Sequence, residues 1–344
     1  MTVTNEAIDK RLAQGHRDMW HPAVPAHFVT TKPTSIVRCG FRIVLWRDGQ
    51  GKAHALEDFC PHRGAPLSQG IVLGDRIACG YHGVQVNVNG VAVSVPGSPG
   101  CKLEGMRATR RFPLQERAGA IFLFIGETAD TEPCELVLPE GLEDPEWSHF
   151  LCYTEWGGDY RYVYDNVIDP MHGTFLHRTS HSMSFGDTTA AFRIAETDTG
   201  FCFEKEGQRG INFDWTEFHD TGAHWMTLEI PYPPTGGPGG SFKIAGVYSP
   251  MQNGWAAVFH WRLRKVSDWQ RDAWRFLYKN RLEGRHWHVL EQDRVMLEDM
   301  DPDANKREIL YQHDMGLVRL RRYFRQKAVA QLEALEAPEA IAAE

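Results

Sequence analysis

Across residues 41 to about 124 the apolar positions fall into short runs, FRIVLW, AHALE, VQVNV and VAV, separated by turn-forming clusters such as DGQG. Runs of this length between Gly, Asp and Asn predict strands joined by tight turns. Around Asn89 and Gly90 the pattern predicts a hairpin with a two-residue type I′ turn, because Asn-Gly tolerates the positive φ needed at both central positions. This part of the chain reads as a small all-β domain. The following stretch, TADTEPCELVLPEGLEDPEWSH, is acidic and contains three prolines, so it reads as a connector. A boundary near Gly126 then gives a domain of residues 1–126, with an N-terminal extension, and a second of residues 127–344.

Beyond the boundary the periodicity changes. Residues 161–177 read as helix, and FCFEKEG, WMTLEIPY, FKIAGVYS and AAVFHWRL as strands. PPTGGPGG, between two of these strands, reads as a loop. Two more helices are expected over about 268–300 and 316–335, the second from the spacing of Leu317, Leu320 and Phe324. The tail EALEAPEAIAAE is expected to fray. The fold class is α+β, without an internal repeat.

A length of 344 residues suits two domains that each bury a core. Net charge is −8 with no long basic stretch, which argues against a nucleic-acid partner. The N-terminus has no apolar leader, and no segment approaches the roughly 18 apolar residues of a membrane span. A cytoplasmic protein with no membrane association is expected. The seven cysteines are odd in number and irregularly spaced, unlike a secreted disulfide framework. Cys39, Cys101, Cys134, Cys152 and Cys202 read as ordinary thiols.

Cys60 and Cys79 differ, because His62 and His82 stand beside them in CPH and CGYH, with sixteen residues between His62 and Cys79. Two thiolates and two imidazoles can hold a tetrahedral zinc or a two-iron cluster with unlike ligands on its irons. Each short loop supplies one of each, which suits a cluster whose cysteines share one iron and whose histidines share the other. CPHRGAPLSQG followed by CGYHG, with Arg63, Gly64 and Tyr81 in place, resembles the Rieske signature. That resemblance implies that Cys60 and Cys79 hold the inner iron of a [2Fe-2S] cluster and His62 and His82 the outer, solvent-facing one. Histidine ligation raises the reduction potential, so a flavin or ferredoxin-type reductase is the implied electron donor.

DNVIDPMHGTFLH contains Asn166, Asp169, His172 and His177. At about 100° per residue, two histidines five apart diverge by about 140° on a regular α-helix, so they cannot both face one metal from it. The segment resembles the Asn-x-x-Asp-x-x-His-x4-His pattern of Rieske non-haem iron oxygenases, which implies that both histidines bind a mononuclear Fe(II). Their spacing then predicts an irregular helix between them, through a π-type turn or an end near residues 173–174. In related demethylases and monooxygenases the third ligand lies in an acidic-x-Asp-basic-apolar run, and HVLEQDRVMLE matches it at Asp293, with Glu291 and Glu298 as alternatives. Two histidines and a carboxylate form the facial triad of Fe(II) oxygenases. DMDPDAN is no calcium loop, since Ala304 and Leu310 stand where an EF-hand needs glycine and glutamate.

Asp169, preceding Pro170, reads as a helix cap. The resemblance adds a second role, a bridge from a cluster histidine of a neighbouring subunit to His172, and with it a head-to-tail homotrimer; Asn166 and Asp169 are the implied catalytic residues. It also implies a C-terminal antiparallel sheet flanked by helices, of helix-grip (START-like) type. The implied function is a terminal oxygenase that uses O2 and electrons from an NAD(P)H-dependent reductase to hydroxylate or O-/N-demethylate a small aromatic or similar apolar substrate. A cis-dihydroxylating dioxygenase and a non-catalytic Rieske electron carrier are the alternatives. Trp215, Trp225, Phe259 and Trp261 either line the substrate pocket or pack within strands. The basic stretch at 319–327 reads as a solvated helix face or a reductase-docking surface.

Overall fold

A computed structural model describes residues 3–179, 187–232 and 240–336. Of the loop expected at 233–240, Gly240 instead opens a strand, and of the tail expected to fray at 333–344, residues 333–336 instead continue a helix; 233–239 and 337–344 lie outside the described residues. The chain divides into one compact unit of Gln14–Cys134 with Ser249–Asn253 and another of Met1–Ala13, Glu135–Tyr248 and Gly254–Glu344. These units are not separated by a single cut of the chain. The first helix, α1 (Asn5–Gln14), buries Ile8 and Leu12 in the core of the C-terminal unit. Its register is fixed there by a hydrogen bond from Tyr160 Oη to the Leu12 carbonyl at 2.9 Å.

The N-terminal unit is built on β1 (Met19–Pro25), β2 (Thr34–Arg38), β3 (Phe41–Arg47), β4 (Ala53–Glu57), β5 (Ile71–Leu73), β6 (Arg76–Ala78), β7 (Gln85–Asn87), β8 (Ala92–Ser94), β9 (Leu114–Arg117) and β10 (Ala120–Ile125). The strands form sheets of order β1-β10-β9, β2-β3-β4 and β5-β6-β7-β8. Within FRIVLW, the run Ile43 to Trp46 is continuously apolar because both faces of β3 are covered there. Ile43 and Leu45 enter one cluster with Ile121 and Leu123, and Val44 and Trp46 enter another with Leu56, Cys60 and Cys79. The second cluster anchors the two cysteine loops.

The hairpin at Asn89 and Gly90 is present, but its turn is not type I′. Only Gly90 has positive φ, at +78°. The Gly90 N–H donates to the Asn87 carbonyl, the Asn87 N–H to the Val91 carbonyl, and the Asn87 side chain accepts from the N–H groups of Asn89 and Val91. This is the longer turn-plus-bulge connection. Further along the hairpin, the register of β7 and β8 shifts between Gln85 and Val86.

In the C-terminal unit, β11 (Trp147–Gly157), β12 (Phe192–Thr197), β13 (Gly200–Lys205), β14 (Trp215–Asp220), β15 (His224–Tyr232), β16 (Gly240–Pro250) and β17 (Trp255–Lys265) form a seven-stranded sheet of order β11-β17-β16-β15-β14-β13-β12. Strands β12 to β16 pair antiparallel in succession, as does β11 with β17. One sheet face packs against α2 (Tyr160–Ile168) and two later helices, α5 (Glu283–Glu298) and α6 (Met315–Glu336), with α3 (Met171–Leu176) and α4 (Asp268–Leu277) between them in sequence. The core on this face joins Val163, Tyr164, Leu290, Leu320 and Phe324 to Phe218, Met226, Leu228 and Val258.

Residues 161–177 are two helices. Asp169 is extended at φ −93°, ψ 102°, the conformation favoured before a proline, and this stops α2. The break thus precedes both histidines and does not lie between residues 172 and 177. No π turn separates them; α3 runs to Leu176, and His177 occupies its C-cap at φ −98°, ψ 23°, having left helical geometry. A π turn does occur, at Tyr278–Leu282 between α4 and α5.

Most of the basic stretch of α6 is engaged with acceptors. Arg319 pairs with Glu196, Arg321 with Asp165 and Glu308, and Lys327 with Asp220. No helix among the described residues is long and apolar enough to cross a membrane.

Candidate metal centres and substrate pocket

The two cysteine loops repeat one hydrogen-bonding plan. The Cys60 N–H donates to the Ala65 carbonyl and the Gly64 N–H to the Cys60 carbonyl, each at 2.8 Å; the Cys79 N–H donates to Val84 at 2.8 Å and the Gly83 N–H to Cys79 at 2.9 Å. Both loops close on a glycine of positive φ, +74° at Gly64 and +71° at Gly83. The cysteines are buried and the histidines exposed, with the His62 and His82 rings 4.7 Å apart and Tyr81 against His82. Burial, reinforced by the neighbouring Cys79, pushes the Cys60 thiol up to about 11, so binding a metal there must displace a proton. Among the described residues these four do not converge on a single point, as a tetrahedral zinc would require. Two buried sulfurs behind two exposed imidazoles fit a two-iron cluster.

His172, His177 and Asp293 do converge, their ligand atoms lying within 4.8 Å of one another. His177 Nε2 is 3.2 Å and His172 Nε2 3.6 Å from Asp293 Oδ1. Each imidazole is held from behind. His172 Nδ1 bonds the Asp169 carbonyl at 2.5 Å, and His177 Nδ1 bonds Gln292 Oε1 at 3.0 Å, so each Nδ1–H donates and each Nε2 lone pair faces the carboxylate. Burial opposes a charge on His177, but Asp293 and Gln292 outweigh it and raise its pKa. The space between the imidazoles and the carboxylate thus favours a cation.

Asn166 Nδ2 donates to Asp293 Oδ1 at 3.0 Å. The Asp169 carboxylate accepts from the N–H groups of Met171 at 2.7 Å and His172 at 3.2 Å, so it caps α3 while its carbonyl aims His172. The two alternative carboxylates are occupied elsewhere: Glu291 is exposed and bound to Arg294, and Glu298 accepts from the Gly157 N–H at 2.8 Å.

The triad opens onto a pocket with apolar walls of Val167, Phe213, Leu228, Ile230, Phe242 and Ile244, and with His260, Arg262 and His286 among its polar lining. Trp215, Trp225, Phe259 and Trp261 are not in this wall. Along β17, His260 and Arg262 face the pocket, so the alternating Phe259 and Trp261 face the other way, where Trp261 packs against Trp225 and Phe259. Reading the sequence missed Gln292, Tyr248, His260 and Arg262. The available signal was the pair of polar residues at alternate positions of the otherwise apolar AAVFHWRL.

An all-β unit with a cysteine–histidine loop pair and a helix-covered sheet with a two-histidine, one-carboxylate site define a two-centre iron oxygenase architecture. Residues 19–109 match the Rieske [2Fe-2S] domain, and residues 156–330 match the vanillate O-demethylase oxygenase C-terminal domain. The chain belongs to the Rieske non-haem iron oxygenases, as an oxygenase (alpha) component. It is 31% identical over 183 residues to the vanillate O-demethylase oxygenase subunit of Pseudomonas sp. (strain HR199 / DSM 7063), covering 53% of this chain and 51% of that one. It is 29% identical over 164 residues to the dicamba O-demethylase oxygenase component of Stenotrophomonas maltophilia, covering 48% of each. The chain spans about half the length of the curated relatives it matches. Its fold resembles the terminal oxygenase of carbazole 1,9a-dioxygenase from Nocardioides aromaticivorans IC177, with a TM-score of 0.75, 21% identity, and 94% of this chain and 97% of that one covered. Dicamba monooxygenase bound to dicamba has a TM-score of 0.72 at 22% identity, covering 93% and 98%.

Proposed function

We propose that the protein is a terminal oxygenase that hydroxylates or O-/N-demethylates a small aromatic substrate, using O2 and electrons drawn from NAD(P)H through a flavin or ferredoxin-type reductase. The observation that carries this reading is the convergence of His172, His177 and Asp293 at the end of an apolar pocket. A [2Fe-2S] cluster on Cys60, His62, Cys79 and His82 would supply single electrons, and an Fe(II) on the triad would supply dioxygen activation. The chain's own residues do the positioning. The Asp169 carbonyl and Gln292 hold the imidazoles in one tautomer, Asn166 holds Asp293, and Phe213, Leu228 and Ile230 exclude water from the pocket. Asp169 keeps a side-chain exposure of 32% while its carbonyl holds His172, which supports a second role as the bridge to a cluster histidine of the next subunit in a head-to-tail homotrimer. N- and C-terminal domains of residues 1–126 and 127–344 are the functional division of this reading.

The test is to combine reconstituted enzyme, reductase and NADH with methoxylated, N-methylated and unsubstituted aromatics and to identify the products. Formaldehyde with the dealkylated product is expected. A cis-diol would move the reaction to dihydroxylation, and the absence of any O2-dependent product would leave only an electron carrier.

A further inference from the structure

The pocket wall contains a cation that the triad does not use. Arg262 on β17 is 2% exposed, and no carboxylate lies in ion-pair range of it among the described residues. Its Nη1 donates to Cys152 Sγ at 2.6 Å and its Nη2 to the His286 carbonyl at 3.3 Å, while the buried Nε has no partner. His260, two positions earlier on the same face of the strand, is also buried. Its Nε2 bonds Tyr248 Oη at 2.6 Å and its Nδ1 has no partner.

Protonation states follow from the surroundings. Burial pushes the Tyr248 phenol well above its ordinary range; burial and the Arg262 charge push His260 down to about 3. Tyr248 therefore stays protonated and donates to Nε2, which leaves the neutral imidazole with its hydrogen on Nδ1. Burial, with the charges of Arg262 and Arg285, also keeps His286 neutral. The pocket thus presents two unpaired N–H donors, one of them on a permanent positive charge. A buried charge without a partner is strongly unfavourable, so the site is complete only with a ligand anion. With an Fe(II) held by the triad, the single negative charge of Asp293 would be committed there.

Resting on the oxygenase reading above, we propose that Arg262 and His260 form an anion-holding end of the pocket, and that the substrate is an aromatic acid bearing a carboxylate or sulfonate. Arg262 Nε–H and His260 Nδ1–H each bond one oxygen of the acid group, and Leu228, Ile230, Phe242 and Ile244 cover the ring. Tyr248 is a positioning residue that sets the tautomer of His260.

The experiment is calorimetric titration of the full-length, iron-loaded protein with 4-methoxybenzoate, 4-methoxybenzenesulfonate and neutral 4-methoxybenzamide. At least one anion is expected to bind tenfold or more tightly than the amide, and the stronger of the two identifies the acid class. Arg262→Met should bring that ratio near one by weakening the anion alone. Arg262→Lys, which keeps the charge but not the planar fork, should retain part of it. Mononuclear iron content and an unchanged affinity for the amide report whether the unit that carries Arg262 is folded in each variant. Wild-type protein that binds the amide as tightly as both anions overturns the proposal, as does a folded Arg262→Met that keeps the preference. Turnover separates the two readings. Equal oxygenation of neutral and acidic methoxybenzenes removes the anion site and leaves the oxygenase, whereas anion-selective binding without O2-dependent turnover does the reverse.

Discussion

Asn166 Nδ2 lies 3.0 Å from Asp293 Oδ1, a hydrogen bond that ties α2 to α5 across 127 residues of sequence. The same carboxylate oxygen faces both imidazoles, so its orientation decides whether the triad meets at one point. Removing a partner of this kind weakens metal affinity by about 10–100-fold in general. Asn166→Ala should therefore lower affinity for the mononuclear iron by that factor while leaving the cluster's absorption unchanged. Iron titration of the metal-depleted site checks this, and unaltered affinity would reduce Asn166 to a packing role.

The paired cysteine loops make a graded prediction. Alanine at Gly64 or Gly83 must adopt positive φ, which costs about 1–2 kcal/mol in each case. At Gly64 the added Cβ would also lie 2.8 Å from Phe59 Cε2, whereas at Gly83 its nearest neighbour is Pro96 Cγ at 3.4 Å. Phe59 is 44% exposed and its ring is a side chain rather than backbone, so the extra penalty should be small. Both variants should carry less cluster than the wild type, with Gly64→Ala the poorer. Cluster content per chain after reconstitution gives the order, and a reversed order would mean that the loops are not limited by these glycines.

The parts of the site that could be read from the sequence are those whose partners are close along the chain. CPH, CGYH and the two histidines of DPMHGTFLH each sit within a few residues of one another, so spacing alone carries information. Asp293 is joined to them only through the packing of α5 on the sheet, and it could be named only by resemblance. The pocket was harder still. Which of two alternating residues on β17 faces inward depends on the register of the sheet, and a shift of one residue exchanges Phe259 and Trp261 for His260 and Arg262. The allegiance of α1 to the C-terminal unit has no local signal either, since an amphipathic helix shows which face it buries but not against what.

Asp220, at the end of β14, accepts from Tyr323 and pairs with Lys327, both on α6. Burial opposes its ionisation, but His224 and Lys327 outweigh it and hold the carboxyl well below the ordinary range. Burial keeps His224 itself neutral near pH 7, so the standing charge opposite Asp220 is Lys327. Because the folded-state pKa is depressed, the stabilisation is fully present above the unfolded value of about 3.9 and is lost progressively below it, as pH falls towards and through the much lower folded-state value. Asp220→Asn should destabilise the protein at pH 7 by roughly 1–3 kcal/mol. That difference should shrink towards the lowest pH at which both proteins remain folded. Denaturant titrations of the two proteins across this range provide the check, and a pH-independent gap would count against the ion pair.

The π turn at Tyr278–Leu282 makes an asymmetric prediction about length. A π turn holds one residue more than an α turn, so it lets the chain absorb an extra residue without rotating the helix beyond it. Here that preserves two contacts at once. Trp274, Tyr278 and Leu282 stay packed against Phe150, while Leu290 and Asp293 further along face the pocket. Deleting the exposed Asn280 should convert the turn to regular α-helix, shorten it by no more than about 1.5 Å and leave Asp293 facing His172 and His177. Inserting one alanine after Asn280 has no such release, because the turn already carries its surplus; the residues C-terminal to it should rotate by about 100° and withdraw Asp293 from the imidazoles. Mononuclear iron content should therefore stay within about twofold of wild type in the deletion and be lost in the insertion, with the cluster retained in both. Equal loss of iron in the two variants would show that the length of this segment, not its helical phase, places the carboxylate.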